Sequence, residues 1–276
     1  MVMRLLEHAG NASDAVLTRL APRSHAAGQT RVLSDLAHRP WPAPEGPWLQ
    51  GQTWLDLLFA HWSLPVDALR RAVPARLPLD TFAGRAWLGI TPFEVSALRL
   101  HGTPPAPGLS CFPETNLRTY TTVGGKPGIY FLSLDADSPL AVAAARCAYR
   151  LPYFRADMTI QRSEGEVRYY SRSATPRAAL HVRYRPTGSV FQAPPGTLEH
   201  FLTERYCAYT LDARARVLRI DIHHPPWPLQ AARAKIELNT MTAPYDIELP
   251  AEQPLLQFSA RQDVVIWPPA PTVQPD

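Results

Sequence analysis

Apolar and polar positions alternate in short runs along this chain, and the runs are those of strands more often than helices. Residues 51–63 (GQTWLDLLFAHWS) are almost continuously apolar and aromatic, which predicts a buried strand. Residues 85–93 and 94–101 predict two further strands. Residues 116–123 and 129–135 predict a hairpin with a longer loop through Gly124-Gly125-Lys126-Pro127-Gly128. More strands are expected at 153–162, 165–173 and 178–185, then a hairpin of 206–211 with 215–222, and a last strand near 254–267. Helical spacing is confined to short pieces: part of 1–22, 65–72, the alanine-rich 139–149, 195–205 with Thr197 as N-cap, and 230–237.

The thirty prolines, against fourteen glycines in 276 residues, sharpen this picture. Proline fixes φ and gives no ladder donor, so long helices are not expected and stiff loops are. The pattern predicts an α+β fold, mainly antiparallel β, with a few short flanking helices. It divides into an N-terminal helix and Pro-rich arm (1–47), one β-barrel-like domain (48–268) and a disordered tail (269–276).

Charge narrows the function classes. The formal net charge is only +4, and the basic residues, nearly all arginine, are spread among acids rather than clustered. No nucleic-acid footprint is expected. No run reaches the ~18 apolar residues of a membrane span, and Arg4, Glu7, His8 and Asp14 interrupt the start, so no signal core is read there. Cys111, Cys147 and Cys207 are odd in number and widely spaced, which suits a reduced, cytoplasmic chain. His223 and His224 are adjacent and no HExxH is present, so neither a metal nor another cofactor is expected.

The candidate chemistry lies in one row. In a strand starting near Glu114, the side chains of Glu114, Asn116, Arg118 and Tyr120 share one face. Neighbours in that row stand ~7 Å apart, within the reach of an arginine. Inside a barrel, such a row would orient a small carboxylate or carbonyl compound. On a solvent-facing strand it would be an ordinary Glu–Arg pair. Asp56 and His61 are polar residues embedded in the 51–63 run. Their odd spacing puts them on opposite faces unless a bulge intervenes.

Several segments together resemble the DUF2071, or YqjF-like, family. They are WLDLLFAHW (54–62), LDTFAGRAWLGITPF (79–93), FPETNLRTY (112–120), GIYFLSLDA (128–136), AARCAYRLPYFRADM (144–158), TLEHFLTERY (197–206) and HPPWPL (224–229). That family looks related to acetoacetate decarboxylase, which implies a β-barrel or cone. By this resemblance the decarboxylase's pocket glutamate falls on Glu114. Its catalytic lysine falls just after Ala148-Tyr149, where this chain reads Arg150-Leu151-Pro152-Tyr153. A Schiff base needs a deprotonated amine, which arginine does not supply. Lys126, in the hairpin turn, and Lys235, at a polar helix end, are the only lysines. The expectation is therefore a pocket without Schiff-base chemistry. Glu114 is its acid or base, and Asn116, Arg118, Tyr120, Tyr153, His61 and Asp56 are candidate binding residues. The expected partner is a small-molecule ligand; self-association is left open. Three functions fit: a lysine-independent enzyme on an oxo-acid, a non-catalytic sensor, or a structural protein with a filled barrel.

Overall fold

The computed structural model describes residues 25–174 and 177–272. Twelve strands form one sheet: β1 (Gln50–Leu64), β2 (Ala86–Leu100), β3 (Phe112–Val123), β4 (Lys126–Ala136), β5 (Tyr153–Ser163), β6 (Glu166–Ser173), β7 (Ala178–Pro186), β8 (Cys207–Leu211), β9 (Val217–His223), β10 (Gln230–Asn239), β11 (Leu255–Ile266) and β12 (Ala270–Pro271). Among the described residues three short helices flank it: α1 (Val66–Arg70), α2 (Pro139–Tyr149) and α3 (Leu198–Thr203). Residues 25–31 add a helical turn.

The strand order is β12-β9-β8-β4-β3-β2-β1-β11-β10-β7-β6-β5, and two extra pairings, β9–β11 and β4–β5, close it twice. The first closure makes a ring of β9, β8, β4, β3, β2, β1 and β11. The second runs from β4 through β3, β2, β1, β11, β10, β7 and β6 to β5. The two rings share the wall β4-β3-β2-β1-β11. Every shared strand therefore has two buried faces, and this explains why residues 51–63 read as a continuous apolar run rather than an alternation.

The second ring is filled. Leu58, Ala60, Leu88, Ile90, Leu117 and Leu132 from the shared wall meet Met158, Val167, Tyr169, Leu180, Tyr184 and Phe258 in one buried cluster. The first ring packs Phe59, Phe93, Tyr120, Ile129, Phe131, Ile220 and Trp227 around a space that is left open.

A bulge in β1 sets which residues face which ring. Asp56 takes a positive φ of 51°, and the β1–β2 register slips by one residue between Leu55/Glu94 and Ala60/Ile90. A bulge inverts the facing of the residues beyond it. Gln50, Gln52 and Trp54 look into the first ring, and past the bulge Leu57 does so too. The same bulge accommodates Pro92, which pairs with Thr115 of β3 but has no β1 partner to receive a ladder bond. Ala86–Leu100 is accordingly one strand, β2, where two, 85–93 and 94–101, are expected from the sequence.

Other expectations are corrected too. The β3–β4 loop is two residues, because Val123 pairs with Lys126. Gly124 and Gly125 both hold positive φ (57° and 73°), as a primed hairpin turn requires. Residues 230–237 form β10 rather than a helix: Ala232, Ala234 and Ile236 turn inward while Ala231, Arg233, Lys235 and Glu237 are exposed, a period of two that overrides alanine's helix propensity. The Pro-rich end is not wholly irregular, since Ala270 and Pro271 pair with Arg219 and Leu218. The helix expected within 1–22 lies outside the described residues. Helices α2 and α3 form where expected, and the hydroxyls of Ser138 and Thr197 cap them.

Candidate functional site

The row on β3 faces the open ring. Glu114, Asn116 and Arg118 line its cavity, and Tyr153, the first residue of β5, joins them across the β4–β5 seam. The room left for the centres of water-sized molecules is ≈ 70 Å³, a compact space that suits a small ligand.

Glu114 is 3 % exposed. The Tyr153 hydroxyl donates to both its oxygens, at 3.4 and 3.3 Å. Burial pushes its carboxyl up to about 8, against the opposing pull of Tyr153 and Asn116, and the nearby Asp135 adds to the rise. Burial thus favours the protonated carboxylic acid at neutral pH. In that form Glu114 does not serve as a counterion.

Arg118 is buried as well. One guanidinium nitrogen, Nη2, donates to the Leu202 carbonyl at 3.3 Å, and the group lies 5.2 Å from the Phe59 ring centre. Its Nε has no partner, and among the described residues Arg118 forms no ion pair. Arg205, at the same cavity, is different: its Nη1 meets Asp80 at 2.7 Å and its Nε donates to the Phe201 carbonyl. One of the two cavity arginines is thus neutralised by a carboxylate among the described residues and the other is not.

Five cavity-lining side chains hold a buried polar atom without a partner among the described residues: Thr91 Oγ1, Asn116 Oδ1, Arg118 Nε, Tyr149 OH and Trp227 Nε1. Such atoms cost free energy unless something fills the space and pairs with them. Thr91 stands opposite Asn116 in the β2–β3 register, and Phe93 opposite Glu114, so the polar atoms of β2 and β3 form one patch.

Three residues expected at the site do not line it. Tyr120 shares the row, but its hydroxyl is used up behind Arg118, donating to the Leu202 carbonyl at 2.9 Å and meeting His61 Nε2 at 2.6 Å. His61 is held neutral by burial and by Arg118. It fits because position 89 is glycine: a Cβ there would come within 2.8 Å of its Nε2. Asp56, at the bulge, points outward and with Glu94 grips Arg162. The bulge breaks the parity on which pairing it with His61 was judged, yet still sends it away from the cavity.

The sequence row did not reveal Thr91, Tyr149, Arg205, His224 or Trp227, which reach the cavity from four separate segments. The nearest sequence signals were TLEHFLTERY and HPPWPL, and neither says which way its side chains turn. His224 faces the cavity with its ring nitrogens near the carbonyls of Pro225 and Arg205. His223 turns instead to Val32 and Arg39. No group of three or more potential metal ligands occurs among the described residues. Neither lysine lines the cavity: Lys126 Nζ lies 5.7 Å from the Trp41 ring, and Lys235 is exposed on β10 rather than at a helix end. Arg150 caps α2 in the left-handed conformation and is exposed. No helix among the described residues is long and apolar enough to cross a membrane.

Comparison with known proteins agrees with this architecture. The model of DUF2071, an uncharacterized conserved protein family, matches residues 51–263. The uncharacterized protein YqjF of Bacillus subtilis (strain 168) is 48% identical over 226 residues, covering 82% of this chain and 93% of that protein. Among solved structures, an acetoacetate decarboxylase-like enzyme from Sphingomonas wittichii RW1 superposes with a TM-score of 0.56 at 14% identity, over 86% of this chain and 99% of that one. Acetoacetate decarboxylase from Legionella pneumophila gives 0.54 at 11%, over 88% and 95%. The enduracididine biosynthesis enzyme MppR, solved with pyruvate, gives 0.56 at 11%, over 85% and 93%. At these identities the likeness carries the fold, which is acetoacetate decarboxylase-like.

Proposed function

This chain belongs to the DUF2071 family, and from that premise we propose that it catalyses a lysine-independent acid–base step on a small oxo-acid bound in the first ring. The observation that carries the reading is Glu114, a buried carboxyl on the wall of a cavity where the buried Arg118 forms no ion pair among the described residues. An anionic ligand pairs with Arg118, and its carbonyl oxygen receives a hydrogen bond from Glu114. Proton transfer from a positioned acid is worth roughly 10²–10⁴ in rate. Glu114 gives its proton to the carbonyl oxygen as the neighbouring carbon releases one to water. The product is the enol, and the reverse step returns a solvent proton to carbon. Asn116 and Tyr153 hold the Glu114 carboxyl in place through both states.

An imine route requires a lysine amine, and the two lysines of the chain lie away from the cavity. A structural neighbour, MppR, is solved with pyruvate, which supports oxo-acids as the first class to try.

The test is hydrogen exchange at the carbon beside the carbonyl, monitored by NMR in deuterated water across a panel of 2- and 3-oxo-acids. Exchange by the wild type that Glu114→Gln abolishes is the expected result. Saturable binding with no exchange would instead make the cavity a sensor site. Borohydride trapping of a covalent ligand adduct would overturn the lysine-independent route.

A further inference from the structure

Resting on the reading above, we infer that the acid this cavity takes carries an apolar tail, and that the wall opposite Glu114 selects for it. The ring is divided. Its acid and its cation without an ion pair belong to β3, where Glu114, Asn116 and Arg118 sit in adjoining register with Thr91 of β2. The strands β4, β8, β9 and β11 present hydrocarbon. Ile129, Ala208 and Ile220 lie side by side across β4, β8 and β9. Ile222 and Ile266 continue the strip onto β11. All five line the cavity. Together they make a continuous strip crossing four strands.

A ligand that is polar throughout would satisfy β2 and β3 but leave that strip facing water or empty space, and neither is favourable. A carboxylate paired with Arg118 and extended by a straight hydrocarbon chain meets both halves. The fit is directional, because the unpaired cation and the acid are on one side only. Ala208 is the smallest residue of the strip and stands between Ile129 and Ile220, so it leaves the deepest recess for chain atoms.

The experiment is calorimetric titration of the full-length protein with straight-chain 2-oxo-acids, from pyruvate upward one carbon at a time, with the n-alkylamines of equal length as charge controls. Burial of a methylene predicts a Kd that falls about fourfold per added carbon until the recess is full. The amines should show no binding. The variant Ala208→Leu should shorten the longest chain that still gains affinity, by about two carbons. A Kd that is flat or rises with chain length would overturn the inference, and so would tighter binding of the amines. If Ala208→Leu does not fold, the wild-type series decides alone. Failure here is separable from failure of the proton-transfer reading. Long acids that bind tightly without hydrogen exchange would sink the chemistry and keep the tail. Exchange confined to pyruvate, with no gain on lengthening, would do the reverse.

Discussion

Two buried carboxylates lie one strand apart on the wall that the two rings share, and they look in opposite directions. Glu114 of β3 faces the open ring. Asp135 of β4, paired in register with Thr115, faces the filled one. Burial raises both, Glu114 to about 8 and Asp135 to about 7. Both have hydroxyl neighbours, Tyr153 for Glu114 and Ser173 for Asp135. Around Asp135, the side-chain oxygens of Ser133, Ser171 and Ser173 are buried without partners among the described residues, as several atoms of the open ring are. What separates the two acids is not their acidity. Glu114 shares its ring with free space and an unpaired cation, whereas Asp135 shares its ring with packed side chains. A perturbed carboxylate becomes a candidate for chemistry only where a substrate can reach it.

The largest effect tests that distinction directly. Glu114→Gln keeps shape and hydrogen bonding but has no acid proton, so oxo-acid hydrogen exchange should fall at least ~100-fold. Asp135→Asn should leave the exchange rate within a few-fold of wild type. The measurement is NMR exchange on both variants, with circular dichroism confirming the fold. An equal loss in the two would mean that the rings are not functionally distinct.

The next effect is one the two acids should share. A carboxyl raised in the folded state keeps a proton that the unfolded chain gives up near pH 4. Between there and the folded value the native state binds more protons, so stability falls as pH rises. Asp135 contributes over the window from about 4 to about 7, and Glu114 over a window reaching about 8. At 1.36 kcal/mol per pK unit, Asp135 alone accounts for roughly 4 kcal/mol of the loss. Urea unfolding at pH 5 and pH 8 should show the wild type weaker at pH 8, with Asp135→Asn and Glu114→Gln each flattening the difference. A wild type equally stable at both values would contradict the buried, neutral state of both acids.

Among the described residues Arg118 has no buried counterpart in the filled ring, and removing it should separate binding from stability. Arg118→Met deletes the charge that the ligand answers, and oxo-acid affinity should weaken roughly 10–100-fold, the worth of one or two charged hydrogen bonds. The same change removes a buried, unpaired cation and fills the space with hydrocarbon, so the apo protein should melt at a higher temperature than wild type. Calorimetry for affinity and a thermal melt for stability suffice. A fall in both would indicate that Arg118 is paired within the protein after all.

The same geometry decides how much of the fold and site is legible in the sequence. The β3 row is readable because β3 holds a strict period of two from Glu114 to Tyr120. The alanine-rich α2 is readable because its cap and its length agree. The fate of Asp56 is not readable, because a one-residue bulge leaves no mark in the residue types around it. The strand β10 escapes sequence reading because alanine and charge in alternation also suit a short helix. Nor can the pattern show that the sheet closes twice. Closure depends on the long-range pairings β9–β11 and β4–β5, and the first of these decides that Arg205, His224 and Trp227 line the same cavity as Glu114.

The smallest expected effect concerns the edge of the open ring. Tyr120 belongs to the row by parity, yet its hydroxyl is spent on the Leu202 carbonyl and on His61, one layer behind Arg118. Tyr120→Phe should therefore act on stability rather than chemistry. It removes one buried hydrogen bond to the carbonyl and leaves His61 Nε2 without a partner, together costing about 1–3 kcal/mol. Exchange activity and oxo-acid affinity should stay within about threefold, since the ring itself remains as the support under the Arg118 guanidinium, 5.9 Å away. Urea unfolding and the NMR exchange assay measure the two consequences independently. If activity falls as far as in Glu114→Gln while stability is unchanged, Tyr120 belongs to the reacting surface, and the boundary of the open ring lies one residue further along β3 than the cavity implies.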